Sequence, residues 1–251
     1  MAQLFGPAAN TVAKVSIVLL ASLPVVVIYS GSAISQSPYN TKVGIRLDQP
    51  VPFSHAHHTV DLGIDCRYCH TSVERTAYSG IPQTETCMTC HSLVWTNSPL
   101  LEPVRASYAN GEPIKWNLVN KAPEFVFFNH SIHIARGISC NNCHGAVQKM
   151  QITEKGRPFT MQWCLTCHND PDQFLYKDSA NPHLSPREQV FNLYVKVQED
   201  PTTAKMSTVE RKLVSGGEQS VPRDLVAEGK KLLQEYGIKQ AQLADCATCH
   251  H

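Results

Sequence analysis

The hydrophobic and polar positions divide the 251-residue chain into one long apolar run and a mixed remainder. The run, Val12 to Tyr29, is interrupted only by one lysine and two serines. Eighteen helical residues span about 27 Å, close to the thickness of the hydrocarbon core of a bilayer. The pattern therefore predicts a single transmembrane helix near the N-terminus.

A cleaved signal peptide is the alternative interpretation of this segment. The small residues Gly31 to Ala33 have the character of a cleavage site. The stretch before the apolar run carries little positive charge, whereas a signal peptide begins with a basic region. We therefore expect an uncleaved membrane anchor.

Two helices outside the apolar run are predicted from their ends. In SPREQVFNLYVKV, Ser185 and Glu188 form a capping box, but the later positions alternate like a strand, so only the start is predicted to be helical. In DLVAEGKKLLQEYG, Asp224 is expected to cap a helix that ends at Gly237. One face of the latter carries four apolar residues: Leu225, Leu232, Leu233 and Tyr236.

All ten cysteines lie in five C-x-x-C-H motifs, the attachment signature of c-type haem. The motifs are Cys66/Cys69/His70, Cys87/Cys90/His91, Cys140/Cys143/His144, Cys164/Cys167/His168 and Cys246/Cys249/His250. Structural zinc, disulfides and thioredoxin-like sites also use paired cysteines, but none requires a histidine directly after the second cysteine. The sequence thus predicts five covalently bound haem c groups, each with the motif histidine as proximal iron ligand.

Four further histidines form two F-x-H-x-x-H motifs, and each motif precedes a haem site. The pairs are His55/His58 and His130/His133. Residues i and i+3 of a helical turn lie on the same face, so each pair can supply distal ligands to two neighbouring haems. This arrangement is typical of an electron relay.

The fifth haem has no paired histidine left for its distal side. Methionine is the other common distal ligand and raises the reduction potential. We expect Met206 in this role, with His183 and Met150 as alternatives. His57 and His251 are not expected to bind iron.

The two F-x-H-x-x-H/C-x-x-C-H modules resemble those of class III multihaem cytochromes. The anchor, the FTMQWCLTCH run and the detached last motif make the chain similar to the pentahaem cytochrome subunit of bacterial alternative complex III. The expected fold is mainly α with much irregular structure, formed around five haems. The expected segments are an anchor (1–35), a first di-haem module with a linker (36–120), a second module (121–180) and a C-terminal segment with the fifth haem (181–251).

The resemblance implies a function for the whole assembly. In that family, polytopic subunits bind and oxidise quinol, and electrons pass through iron–sulfur clusters on a molybdopterin-enzyme-like subunit to the cytochrome. They leave to a cytochrome c, a blue copper protein or a terminal oxidase. The chain is then expected in the bacterial inner membrane, with its N-terminus cytoplasmic and its haem domain periplasmic. The alternatives are an anchored multihaem quinol dehydrogenase and an electron-transfer subunit of another molybdenum oxidoreductase.

Charge and motif composition narrow the remaining functions. The chain has a formal net charge of +1, and haem propionates would make the loaded protein acidic. The sequence has no basic stripe or phosphate-binding loop, so nucleic acid is not an expected partner. All five motifs end in histidine, whereas related nitrite reductases often carry lysine at the catalytic haem, so electron transfer is expected rather than catalysis by this subunit.

Overall fold

The structure is a computed structural model that describes residues 6–216 and 223–250, except the side chains of 223–226. The chain divides into two compact units, one ending at Val43 and one beginning at Gly44. In the described residues the structure is helical without strands, as the sequence predicts. The α-helices are α1 (Ala9–Gln36), α2 (Pro38–Thr41), α3 (Cys66–Cys69), α4 (Thr84–His91), α5 (Glu102–Asn110), α6 (His130–Ala135), α7 (Cys140–His144), α8 (Met161–Asn169), α9 (Pro186–Glu199), α10 (Thr208–Ser215), α11 (Arg223–Glu235), α12 (Gln240–Leu243) and α13 (Cys246–Cys249). Shorter elements are a π-helical turn at Ala56–Asp61 and 3₁₀ turns at Pro99–Leu101, Val147–Lys149 and Pro171–Phe174.

Helix α1 contains the predicted transmembrane segment. Its 28 residues give a length of about 42 Å, and its most apolar window has a mean hydropathy of 2.3. The hydroxyl groups of Ser22 and Ser30 donate to the carbonyl oxygens of Leu19 and Val26 within the helix. These bonds satisfy groups that hydrocarbon would leave unpaired. The helix is therefore long and apolar enough to cross a membrane.

Helix α9 confirms the predicted capping box and extends further than predicted. The N–H of Ser185 donates to Glu188 Oε2 at 2.8 Å, and the N–H of Glu188 donates back to Ser185 Oγ. The strand-like alternation does not produce a strand, because the buried residues follow a helical spacing. These residues are Val190, Leu193, Tyr194 and Val197, with Phe191 beside them. Their burial carries the helix to Glu199.

Helix α11 follows its prediction at its C-terminal end. Leu232, Leu233 and Tyr236 are buried, and Gly237 ends the helix with a φ of +62°. Such a left-handed backbone favours glycine. The prediction of Asp224 as the N-terminal cap is wrong, because the helix already includes Arg223 and Asp224 lies inside its first turn. The side chains of Asp224 and Leu225 lie outside the described residues.

The proline-punctuated stretch 97–117 is partly helical. Pro99 begins a 3₁₀ turn, and Pro103 lies in the first turn of α5. Proline is tolerated there because the first N–H groups of a helix have no partner within the helix. Val104 of α5 is buried, and the Ser107 hydroxyl lies 2.6 Å from that of Thr84 in α4.

The side-chain core lies towards the C-terminal part of the second unit. Its largest cluster contains Tyr176, Leu193, Val197, Met206, Leu213 and Val214. A second cluster contains Leu175, Leu232, Leu233 and Tyr236, and a third contains Val73, Ile134 and Phe191. Each cluster uses residues after position 174, so the haem motifs are held beside this core rather than within it.

A buried charge network joins α9 and α10 in this core. Lys196 Nζ lies 2.8 Å from Asp178 Oδ2 and 2.5 Å from Glu210 Oε1, and the two carboxylate side chains are 3% and 8% exposed. Burial opposes ionisation of Glu210, but hydrogen bonds from Lys196, Tyr176 and Ser207 outweigh it and lower its pKa to about 2. Lys196 therefore compensates two carboxylates that the fold has removed from water.

We expect Lys196→Met to lower the free energy of unfolding by about 3 kcal/mol, because two buried carboxylates lose their cation. The difference in unfolding free energy between the native protein and the variant should be largest above pH 4.5, the ordinary pKa of a glutamate. It should shrink as the pH falls towards 2 and Glu210 becomes protonated. Guanidinium unfolding of the haem-loaded protein, followed by circular dichroism, measures both effects. Lys230→Met, which changes an exposed lysine, is the matched control. Equal stabilities of the two variants at neutral pH would contradict the assignment.

Candidate haem centres

Each C-x-x-C-H motif lies on or ends a short helix. The five helices are α3, α4, α7, α8 and α13. A helical turn brings the two thiols and the following histidine towards one side. Asp65 and Asp245 cap two of these helices by accepting hydrogen bonds from Arg67 and Ala247. None of the ten cysteines is paired in a disulfide, so all of them are available for thioether bonds to haem.

The two F-x-H-x-x-H motifs adopt closely similar local arrangements. His55 and His58 lie at the π-helical turn 56–61, whereas His130 and His133 lie on α6. The preceding phenylalanine orients each pair. The ring of Phe53 is edge-on to His55 at 4.9 Å and stacks on His58 at 4.4 Å.

Phe128 repeats this arrangement in the second motif. Its ring is edge-on to His130 at an interplanar angle of 88° and stacks on His133 at 28°, with both centroid distances 4.7 Å. The same contacts in both motifs show that the phenylalanine packs against the two histidines. The sequence motif contains this phenylalanine but does not reveal its role. The two histidines of each pair are thereby turned towards different partners.

Each of these histidines faces the histidine of a different C-x-x-C-H motif. The ring centroids lie 6.5 Å apart for His55 and His70, 6.2 Å for His58 and His91, 6.3 Å for His130 and His144, and 6.2 Å for His133 and His168. A metal–imidazole bond is about 2 Å long, so two rings bound on opposite sides of one metal have centroids roughly 6 Å apart. The four pairs therefore fit a six-coordinate haem iron with two axial histidines.

Hydrogen bonds at Nδ1 fix most of these rings. Six Nδ1–H groups donate to backbone carbonyl oxygens: His58 to Ser54, His70 to Gly80, His91 to Val94, His130 to Ala77, His133 to Asn129 and His168 to Leu243. His55 Nδ1 instead faces the hydroxyl of Thr153 at 3.0 Å. A proton at Nδ1 leaves the Nε2 lone pair free for a metal. Sequence reasoning missed these acceptors, because backbone carbonyls carry no sequence signal.

The histidine rings are suited to coordination by their protonation state. Burial, with repulsion from His70, lowers the pKa of His55 to about 4. Burial, with repulsion from His130, likewise lowers the pKa of His144 to about 4. Both rings are therefore neutral near pH 7, the form that binds metals.

The motifs do not follow one another in space as they do in sequence. The His55/His58 pair links the first motif to the second, and the His130/His133 pair links the third to the fourth. Direct contacts agree, since His130 bonds to Ala77 at 2.7 Å and Cys249 Sγ lies 4.0 Å from His168 Nδ1. The spatial order is second, first, third, fourth and fifth motif.

The ten predicted attachment cysteines are not equally enclosed. Cys90 of the second motif and Cys246 of the fifth are exposed, whereas the other eight are partly covered by the chain. The exposed thiols belong to the second and fifth motifs, which end the spatial order and each have one neighbouring motif instead of two. Haem attachment at Cys90 stays a prediction.

The fifth motif has different surroundings. The ring of His250 stacks on Phe125 with centroids 5.8 Å apart, and the N–H of Phe127 donates to the carbonyl oxygen of Cys249 at 2.7 Å. A phenylalanine cannot coordinate iron. These contacts therefore position the fifth motif but do not provide a distal ligand for its haem. His251 lies outside the described residues.

The three candidates for the distal ligand of the fifth haem lie as follows. Met206 is 6% exposed and packs in the largest apolar cluster. The carbonyl oxygen of Met150 accepts a hydrogen bond from Ala56, and His183 is exposed. The packing of Met206 is that of a core residue, and the distal ligand of the fifth haem stays a prediction.

Comparison with known proteins agrees with this geometry. The cytochrome c552 family model matches residues 114–242, more than half of the chain, and the class III cytochrome c family model matches residues 31–100. The multihaem cytochrome c subunit of menaquinone reductase from Nitratidesulfovibrio vulgaris (strain Hildenborough) is 35% identical over 124 residues. The alignment covers 49% of this chain and about half, 52%, of that relative. The motifs and the family match agree: the chain belongs to the cytochrome c552 family and is a multihaem c-type cytochrome with covalently bound haem c.

Proposed function

We propose that this chain is the membrane-anchored electron relay of a quinone-linked respiratory complex and carries five haem c groups. The observation that carries the proposal is the set of four histidine pairs with centroids 6.2 to 6.5 Å apart. Two axial histidines favour an electron carrier, because they leave no open position for a substrate. The relay role therefore accounts for the histidines outside the C-x-x-C-H motifs better than a catalytic role does.

The chain's own residues hold the centres in one geometry. Haem c would supply a reversible one-electron couple. Phe53 and Phe128 pack against the distal rings, and the Nδ1–H bonds restrict their rotation. Ligands that are held by packing and hydrogen bonds need little rearrangement when the charge on the iron changes. The proposed ligands are His55 and His70, His58 and His91, His130 and His144, and His133 and His168, for the first to fourth haem.

The spatial order of the motifs gives the relay two ends. His58 and His91 would hold the second haem at one end, and His250 would hold the fifth haem at the other. The first and third haems form the middle, where the loop carbonyl of Ala77 in the first module supports His130 in the second. Electrons would thus pass along the order second, first, third, fourth and fifth haem, or in reverse.

We further propose a role as the pentahaem subunit of an alternative complex III. Helix α1 would span the inner membrane with its N-terminus in the cytoplasm and the haem unit in the periplasm. The partners would be an iron–sulfur, molybdopterin-enzyme-like subunit and polytopic quinol-binding subunits, with a cytochrome c, a blue copper protein or a terminal oxidase as acceptor. Support comes from the anchor, the number of motifs and their order along the chain.

A menaquinone reductase is the second candidate for the assembly. The matched relative is a cytochrome subunit of such an enzyme, in which electrons reach a quinone instead of leaving a quinol. A chain of reversible carriers serves either direction. The two candidates therefore differ in the partners at the ends of the relay and not in the relay itself.

The haem count is tested by intact-mass spectrometry of the protein purified from its native membranes. We expect a mass increase equal to five haems over the polypeptide. Replacing both Cys246 and Cys249 by serine should reduce the increase by one haem, because only the last motif is removed. A native mass with four haems, unchanged by this double substitution, would show that the fifth motif does not bind haem.

The ligand assignment is tested with two adjacent histidines. We expect His58→Ala to convert one haem per protein from low spin to high spin, because the second iron loses its distal ligand. His57→Ala is the matched control, since the His57 ring is exposed and faces Asp61. Electron paramagnetic resonance (EPR) spectroscopy quantifies both spin states. If both variants kept the native low-spin intensity, His58 would not be an iron ligand.

The assembly is tested by gentle detergent extraction and identification of the proteins that co-purify. An alternative complex III predicts a large iron–sulfur subunit, polytopic subunits and quinol oxidation coupled to a soluble acceptor. A menaquinone reductase predicts reduction of a menaquinone analogue by a periplasmic electron donor. Quinol oxidation by the isolated chain without other subunits would favour the anchored quinol dehydrogenase.

A further inference from the structure

The acceptors of the Nδ1–H bonds differ between the proposed centres. Both histidines of the second centre and both of the fourth donate to backbone carbonyl oxygens. In the first centre, His70 donates to the carbonyl of Gly80 at 2.8 Å, but His55 meets the Thr153 hydroxyl at 3.0 Å. Thr153 therefore provides a side-chain acceptor for the distal histidine, whereas the distal histidines of the neighbouring centres donate to backbone carbonyls.

Thr153 is held firmly beside His55 although 98 positions separate them. The segment before it accepts hydrogen bonds from the segment that carries His55: Ala56 N–H to Met150 O at 3.0 Å, Thr59 Oγ1 to Gln148 O at 3.0 Å and Ser54 Oγ to Gln151 Oε1 at 2.8 Å. The segment after it is joined to residues 44–46 by Gly44 N–H to Lys155 O and by the Arg46–Glu154 ion pair. The hydroxyl is therefore fixed from both sides.

The hydrogen-bond acceptor at Nδ1 changes how much electron density the imidazole donates to a bound metal. An Nδ1–H that donates to a strong acceptor makes the ring more basic, which stabilises the ferric state and lowers the reduction potential. A backbone carbonyl offers two lone pairs and no competing proton, whereas a threonine hydroxyl rotates and is itself a donor. His55 should therefore donate less electron density than the other distal histidines.

We propose that Thr153 is a positioning residue that raises the reduction potential of the first haem above that of the second. The inference rests on the proposed function, because it takes His55 as an iron ligand. The first haem lies between the second and third in the relay. Electron transfer from the second haem to the first would then be energetically favourable. Transfer in the opposite direction would be unfavourable.

The experiment is a redox titration of the full haem-loaded protein, followed by EPR. The ring planes are at 7° for His55 and His70 but at 62° for His58 and His91, so the first and second haems should give different low-spin signals. The signal that disappears in His55→Ala, with the appearance of one high-spin haem, identifies the first haem. Its potential in the native protein should exceed that of the signal that disappears in His58→Ala.

Two substitutions at Thr153 should move this potential in opposite directions. Thr153→Val removes the acceptor and keeps the shape, and should raise the ratio of reduced to oxidised first haem about tenfold at a fixed ambient potential, a shift of about 59 mV. Thr153→Asn offers an amide carbonyl and should lower the ratio, whereas Thr153→Ser should leave it near the native value. Thr202→Val is the control, because Thr202 is exposed and its hydroxyl bonds to Asp200, away from the first centre.

The outcomes separate this inference from the function on which it rests. Opposite shifts for valine and asparagine, confined to the first haem, support it. Shifts in the same direction, or a shift as large in Thr202→Val, would show that the Thr153 hydrogen bond does not set the potential and would overturn the inference. Retention of every low-spin signal in His55→Ala would instead refute the ligand assignment and with it the proposed relay.

Discussion

The haem unit is organised around four pairs of facing histidines, each of which would hold one haem iron between two imidazoles. Each of the four histidine pairs joins a turn or helix at a distal motif to a helix elsewhere in the chain, from 14 residues away for His130 and His144 to 35 for His133 and His168. The apolar side-chain clusters lie mostly after residue 174. Axial coordination and covalent attachment would therefore supply much of the cohesion that a side-chain core gives other domains of this length.

One short motif performs two tasks because of helical geometry. The spacing of three residues sends two rings from one turn to two centres, and the phenylalanine packs differently on each ring. The turn can be a π-helical turn, as at His58, or an α-helix, as at His133. The directions of the rings, not the type of turn, are what the two modules share.

The sequence predicted what is local and missed what is distant. The cysteine motifs, the i, i+3 histidines and the cap at Ser185 depend on nearby residues, and each lies where its local pattern indicates. The spatial order of the motifs depends on contacts such as His130 with Ala77, which no pattern records. Thr153 could not be found for the same reason, and helix α5 was missed although Pro103 lies in its first turn, where proline is compatible with a helix.

The hydrogen bonds at Nδ1 bear on the direction of electron flow. Ligand type alone would make the first four proposed centres alike, because each would have two histidines. The acceptor at Nδ1 differs at His55, whose proposed centre would lie inside the relay and not at its ends. An inner haem with a higher reduction potential would hold an electron between the redox partner at the second haem and the redox partner at the fifth. Such a relay would fill from whichever end is the stronger reductant, so a single cytochrome design could serve both quinol oxidation and quinone reduction.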